Sequence, residues 1–367
     1  MTGQAFRAAD SSRGRIAFVT GCMVRGGAER VISLIANRYG EAGYDVDILM
    51  ILKPRSDYPL HERVRLLDLS DGGARRSPLH TVKKIRRYLR DTRPLAVISF
   101  MARINAVVGL ACRKGRGYRL ILSERNDPRY DRRGFLLNAL LRFAYRRSDA
   151  VVFQTDYARA LAPRSCPGTL IPNPISVPDD GGSAFQKQKV ILSAGRFMPQ
   201  KNQKLLIEAF ALFHKKHPDY VLKIFGFGDL KPALEKQISE VGLTGAAFLL
   251  PDTPDIHQEM RRAEIFALSS DYEGLSNALL EAMCLGMSVV STDCSGISEY
   301  LVNRQNGLLS PVGDAKAFAA CLDRLASDSA FAAQLGKNAR KLKERVCADT
   351  VWEAWDRVIF GNTADVL

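Results

Sequence analysis

The chain has 367 residues, 46% of them hydrophobic and 25% charged, which suits two domains with packed cores and excludes wholesale disorder. No apolar run approaches the ~20 residues that span a bilayer, and seven cysteines without a CxxC pair argue against a disulfide framework or zinc site and for a reducing cytosol. The net charge of +14 is lopsided: residues 1–180 carry 32 Lys and Arg against 17 Asp and Glu, whereas the remainder carries 21 against 22, so an anionic partner for the first half competes with a general arginine bias.

Met1–Gly14 is polar, lacks the apolar stretch of a secretory signal and reads as a loose tail. Arg15–Thr20 (RIAFVT) is a short apolar run that predicts a strand. The loop Gly21–Gly27 follows, then an amphipathic stretch from Ala28 to about Gly40 and a second strand at Asp45–Ile51. Strand, loop, helix, strand is one βαβ unit. The rhythm repeats at Ala96–Phe100, Arg119–Ser123 and Ala150–Gln154, runs apolar enough for buried parallel strands. Pro178–Gln188 is a polar break and the best linker. Beyond it, strands are predicted at Lys189–Gly195, Tyr220–Phe225, Ala246–Leu250, Ile265–Ser269 and Ser288–Thr292.

The expected fold is therefore α/β, with two doubly wound, Rossmann-like domains facing a cleft, at 15–180 and 181–346. Residues 347–367 are expected to form a closing helix packed back across both, with Trp352, Trp355 and Val358 at helical spacing and in the core. Ligands of such sheets bind beyond the carboxyl ends of the strands, so loops after strands matter most.

Three such loops carry chemistry. Gly26-Gly27-Ala28-Glu29-Arg30 follows the first strand and reads either as an anion-accepting helix start or as a plain tight turn. It is not the dinucleotide pattern of three spaced glycines. Gly195–Asn202 opens a helix with Arg196 and Lys201, two cations able to clamp a diphosphate. Asp271–Glu281 places Glu273 in a loop and Glu281 about two turns inside a helix, ~12 Å apart along its axis at 1.5 Å per residue. That span matches the sugar and ribose of a nucleotide sugar on either side of the diphosphate, which the amides of Gly274, Leu275 and Ser276, with Asn277 beside them, could meet. Glu281 lies among Ala278, Leu279, Leu280, Ala282 and Met283, so it needs a polar partner unless it faces solvent. Asp45-Val46-Asp47 looks like a metal-binding DxD but sits inside a strand and reads as a strand feature, and no metal site is expected.

Together the Arg196–Lys201 loop, the spaced glutamates, the Gly26–Arg30 start and the late Asn306-Gly307-Leu308-Leu309 run resemble glycosyltransferase family 4, whose members are retaining enzymes of the GT-B fold. The segment Ser123-Glu124-Arg125-Asn126-Asp127-Pro128 is similar to the bacterial branch that acts on polyprenyl-diphosphate-linked saccharides. The resemblance implies that Arg196 and Lys201 hold the donor diphosphate, Glu273 touches the transferred sugar, Glu281 the ribose, and Gly27 lies under the diphosphate. It implies a UDP-sugar as substrate, no cofactor, and a hexose or N-acetylhexosamine moved to a lipid-linked or polysaccharide acceptor; Glu124, Arg125, Arg142 and Arg146 are the acceptor-side candidates. Many relatives carry a sugar-contacting histidine near Arg125, and this chain departs from them there.

His80–Asp91 and Asp131–Asp149 both read as amphipathic helices with basic backs, able to rest on an anionic membrane or to face a core with the basic side in solvent. The expected place is the inner face of the cytoplasmic membrane, held peripherally. Two other readings stay open: a nucleotide-sugar epimerase of the same fold, and a basic nucleic-acid-binding protein, although no nucleic-acid motif is present and none is expected as a partner.

Overall fold

The computed structural model describes residues 12–24, 26–71, 77–113, 115, 117–131, 133–178 and 186–361. Most of the expected loose tail, Arg132 and the central part of the expected linker lie outside the described residues. The chain divides into two units, one of 1–154, 159–171 and 352–367, the other of 155–158 and 172–351.

The first unit holds seven strands: β1 (Arg15–Thr20), β2 (Asp45–Met50), β3 (Val64–Asp68), β4 (Ala96–Phe100), β5 (Arg119–Ser123), β6 (Ala150–Phe153) and β7 (Gly168–Leu170). They form one parallel sheet in the order β3-β2-β1-β4-β5-β6-β7. Central strands such as β4 (AVISF) are buried at every position, because helices cover both faces, and this gives them unbroken apolar runs. The strands absent from the sequence reading, β3 and β7, are the two edges; β3 (VRLLD) is mostly exposed and has no such run.

The second unit repeats the plan with β8 (Gln188–Ala194), β9 (Val221–Phe225), β10 (Ala247–Leu250), β11 (Ala263–Leu268), β12 (Ser288–Thr292) and β13 (Leu308–Ser310), parallel in the order β10-β9-β8-β11-β12-β13. Phe197, Leu206, Phe210 and Phe213 pack on one face of this sheet, and Leu279, Leu280 and Met283 on the other. In both sheets the strand order reverses beside the first strand, between β1 and β4 and between β8 and β11. Such reversals open a crevice at the carboxyl ends. The loop with Gly26 and Gly27 follows β1, and the loops with Lys201 and Glu273 follow β8 and β11, so all three lie at a reversal.

The last helix, Ala348–Phe360, joins the first unit from Trp352 onward. Trp355 is fully buried and stacks on Phe100 with ring centroids 6.1 Å apart. Tyr39 donates to Asp356 Oδ1 at 2.7 Å, and Arg119 Nε donates to the Val358 carbonyl at 2.9 Å.

The two amphipathic stretches part company. In the helix Pro78–Thr92 the apolar stripe of Val82, Ile85 and Leu89 is buried in the first unit, while Leu79 in its first turn is 68% exposed. The second forms only over Phe135–Arg147, because Gly134 is extended and Arg133 is drawn aside to Asp131 and Glu124. That helix leaves Phe135 91% and Leu136 71% exposed, with Phe143, Arg142 and Arg146 also on the surface.

Candidate functional site

In the second unit the loops after β8 and β11 are stitched together. Pro199–Lys201 makes one tight turn, and Asn202 then adopts a left-handed conformation (φ 43°), in which its side chain accepts the Leu205 amide and caps the helix Gln203–His214. The same side chain donates to Asp271 Oδ1 at 2.7 Å, and the Asp271 amide donates to the Gln200 carbonyl at 2.9 Å. Lys201 is thereby brought to Glu273, with Nζ 2.5 Å from Oε1. Ser270 Oγ donates to the same oxygen at 2.6 Å, while Oε2 has only a long 3.5 Å contact from Gln200 Nε2. Glu273 is 5% exposed, so its charge is held by a cation and a hydroxyl with one oxygen largely unspent.

The turn beyond Glu273 is shaped by Gly296. Its φ is +79°, and a Cβ there would lie 2.4 Å from the Gly274 carbonyl oxygen and 2.7 Å from that of Glu273. Only glycine fits. Ser276 caps the helix Asn277–Cys284, its hydroxyl accepting the Leu279 amide. The amides of Gly274, Leu275 and Ser276 donate to no protein acceptor among the described residues. Open amides at a helix start favour an anion. Asn277 is drawn to the side-chain amide of Asn173. Arg196 is exposed, and no ion pair of its side chain occurs among the described residues. Glu281 is 3% exposed inside the helix, with His257 Nε2 3.4 Å from its Oε2. Burial, with the nearby carboxylates of Glu281 and Glu273 respectively, pushes the Cys284 and Cys294 thiols up to about 12, which leaves them as inert packing groups.

The first unit places its candidates differently. Gly26 precedes the helix Gly27–Glu41, and its amide and carbonyl are both bonded to the Tyr58 hydroxyl, at 2.9 and 2.8 Å. Glu124 is buried at the end of β5 with both oxygens committed: Oε1 accepts from Asn105 Nδ2 at 3.0 Å and Tyr145 at 2.6 Å, and Oε2 accepts from Arg133 at 2.6 Å. Burial alone would lower the Arg133 pKa, but the Glu124 charge outweighs it and raises it. Arg125 lies 4.6 Å over the Phe100 ring and 5.8 Å from that of Trp355, and burial brings its guanidinium down to about 9. Arg142 and Arg146 are on the exposed helix described above.

Asp47, the second carboxylate of the DxD, is fully buried and held by Arg15, Arg65 and Tyr88. Burial works to raise its pKa, but the hydrogen bonds from Arg65, Tyr88 and Arg15 outweigh that and hold it below the usual 3.8. No group of three His, Cys, Asp or Glu side chains that could hold a metal ion occurs among the described residues. No helix among them is long and apolar enough to cross a membrane.

Sequence reasoning missed Tyr58, Gln200, Ser270 and His257. Each reaches its partner by tertiary folding or as an ordinary loop polar residue, with no local periodicity to mark it.

These two units are what a glycosyltransferase of the GT-B class is made of. Residues 26–173 match the model of a glycosyl transferase 4-like domain, and residues 180–342 match that of glycosyl transferases group 1. Between them the matches take in most of the chain, which belongs to this glycosyltransferase family. The chain is similar to a glycosyltransferase of Haemophilus influenzae, 23% identical across 91% of this chain and 96% of the relative. It is also similar to a Campylobacter jejuni α-1,4-N-acetyl-D-galactosaminyltransferase named for a PP-undecaprenol-linked saccharide, 25% identical across 94% of this chain and 98% of the relative. Among solved structures, HepE of Anabaena in complex with UDP and glucose has a TM-score of 0.80 at 18% identity, covering 95% of this chain and all of that one. The fold is GT-B and the protein is a glycosyltransferase.

Proposed function

We propose that the chain is a retaining, metal-independent glycosyltransferase that moves a hexose or N-acetylhexosamine from a UDP-sugar to a lipid-linked or polysaccharide acceptor in bacterial cell-surface glycan synthesis. The observation that carries this reading is the Lys201–Glu273 pair set beside the three open amides of Gly274, Leu275 and Ser276. Arg196, Lys201 and those amides suit a diphosphate, and fixed positive charge there stabilises the nucleoside diphosphate as it leaves. Glu273 takes hydroxyls of the transferred sugar, and Glu281 takes the ribose. The acceptor attacks on the face from which the diphosphate departs, which preserves the anomeric configuration without a protein nucleophile. In the first unit we keep Gly26 and Gly27 as donor-binding candidates, with Gly26 steadied by the Tyr58 hydroxyl.

The acceptor and the setting come from the relatives and the surface. The Campylobacter relative acts on an undecaprenyl-diphosphate-linked saccharide. Phe135, Leu136 and Phe143 beside Arg142 and Arg146 suit shallow contact with an anionic leaflet, and we assign these arginines to the acceptor side of a peripheral enzyme at the inner face of the cytoplasmic membrane. Glu124 and Arg125, given their partners, act there as supports of the β5 end.

Incubation with labelled UDP-sugars and a polyprenyl-diphosphate-linked saccharide tests the reading. It expects label in the lipid fraction, an α-linked product from an α-linked donor, and full activity after EDTA. An inverted product, activity lost to EDTA and restored by manganese, or epimerised donor in the absence of acceptor would contradict it.

A further inference from the structure

His257 stands on the short helix Ile256–Arg262, which follows the carboxyl end of β10. Its Nε2 lies 3.4 Å from Glu281 Oε2, yet the approach is not a hydrogen bond: Nε2 is enclosed by protein and meets no hydrogen-bond partner among the described residues. Enclosing an imidazole nitrogen without a partner costs free energy that a purely structural histidine would avoid. Cys284, near Glu281, brings a protonated thiol and no charge. What the two groups share is the capacity to hold hydroxyls. A carboxylate accepts, an imidazole nitrogen accepts or donates by tautomer, and a hydroxyl does both.

We infer that His257 determines specificity for the donor's ribose, forming with Glu281 a two-point clamp in which each side chain holds one of the two hydroxyls. This rests on the ribose role given to Glu281 above. A site built to bond a hydroxyl rejects the analogue that lacks it.

Calorimetric titration of the full chain with UDP, 2′-deoxy-UDP and 3′-deoxy-UDP tests it. The wild type binds each deoxy analogue about three- to tenfold more weakly than UDP, the value of one hydrogen bond. His257→Leu binds UDP more weakly and no longer separates it from one of the two analogues, while still separating it from the other. Glu281→Gln shows the complementary loss, and His257→Gln, which keeps a donor within reach, restores most of the discrimination. Should His257→Leu fail to fold, His257→Asn, too short to reach, carries the same expectation. If the histidine variant keeps both ratios, or loses both equally, His257 makes no contact of its own and the inference falls while Glu281 stands. If the wild type does not bind UDP, or binds all three alike, the ribose role of Glu281 falls and the inference with it.

Discussion

Each unit buries a glutamate just past the end of a central strand, and the two glutamates are used in opposite ways. Glu124, after β5, gives both oxygens to Asn105, Tyr145 and Arg133. Glu273, after β11, gives one oxygen to Lys201 and Ser270 and keeps the other almost free. Next to it in the chain are three amides that donate to no protein group among the described residues, and the loop after β8 holds the exposed Arg196. A buried polar group with all its bonds made by its own protein stabilises a fold; one with capacity to spare is prepared for a ligand. On this difference rests our proposal that the second unit's loops carry the chemistry, with Glu124 as a support in the first unit.

Three experiments probe that contrast. The largest effect belongs to Glu124→Ala, which strands Arg133, Tyr145 and Asn105 and should lower unfolding free energy by about 3–5 kcal/mol. Urea denaturation measures it, and a loss below about 1 kcal/mol would mean that the network is not structural. Next, Lys201→Ala should cut kcat by about 10²–10³-fold, the usual effect of removing one fixed group that stabilises developing charge, while the protein stays folded. Turnover near wild type would remove Lys201 from the site. The smallest effect concerns the surface. Arg142→Gln/Arg146→Gln should weaken sedimentation with anionic liposomes by up to ~2 kcal/mol, at ~1 kcal/mol for each basic residue near a membrane, whereas Arg87→Gln/Arg90→Gln should change it little. Equal losses would show that charge alone, without the exposed Phe135 and Leu136, governs attraction.

The sequence displayed the strands that are covered on both faces, because such strands become continuous apolar runs. It concealed the edges: β3, with exposed Arg65 and Leu66, has no run to notice, and β7 and β13 have three residues each. The Arg196–Lys201 and Glu273–Glu281 spacings could be read because one loop or helix start sets each of them. Tyr58 and His257 could not, since Gly26 and Glu281 meet them only after the sheets have formed. The two basic amphipathic stretches show a further limit. Val82, Ile85 and Leu89 face the core, whereas Phe135, Leu136 and Phe143 face solvent, and periodicity identifies a stripe without saying what covers it.

Hydrogen exchange on the full chain, with and without saturating UDP, tests the contrast most directly. The account predicts that protection on adding UDP covers 195–203 and 270–282 and leaves 123–133 unchanged. Protection confined to 123–133, or none in either loop of the second unit while UDP is bound, would contradict it.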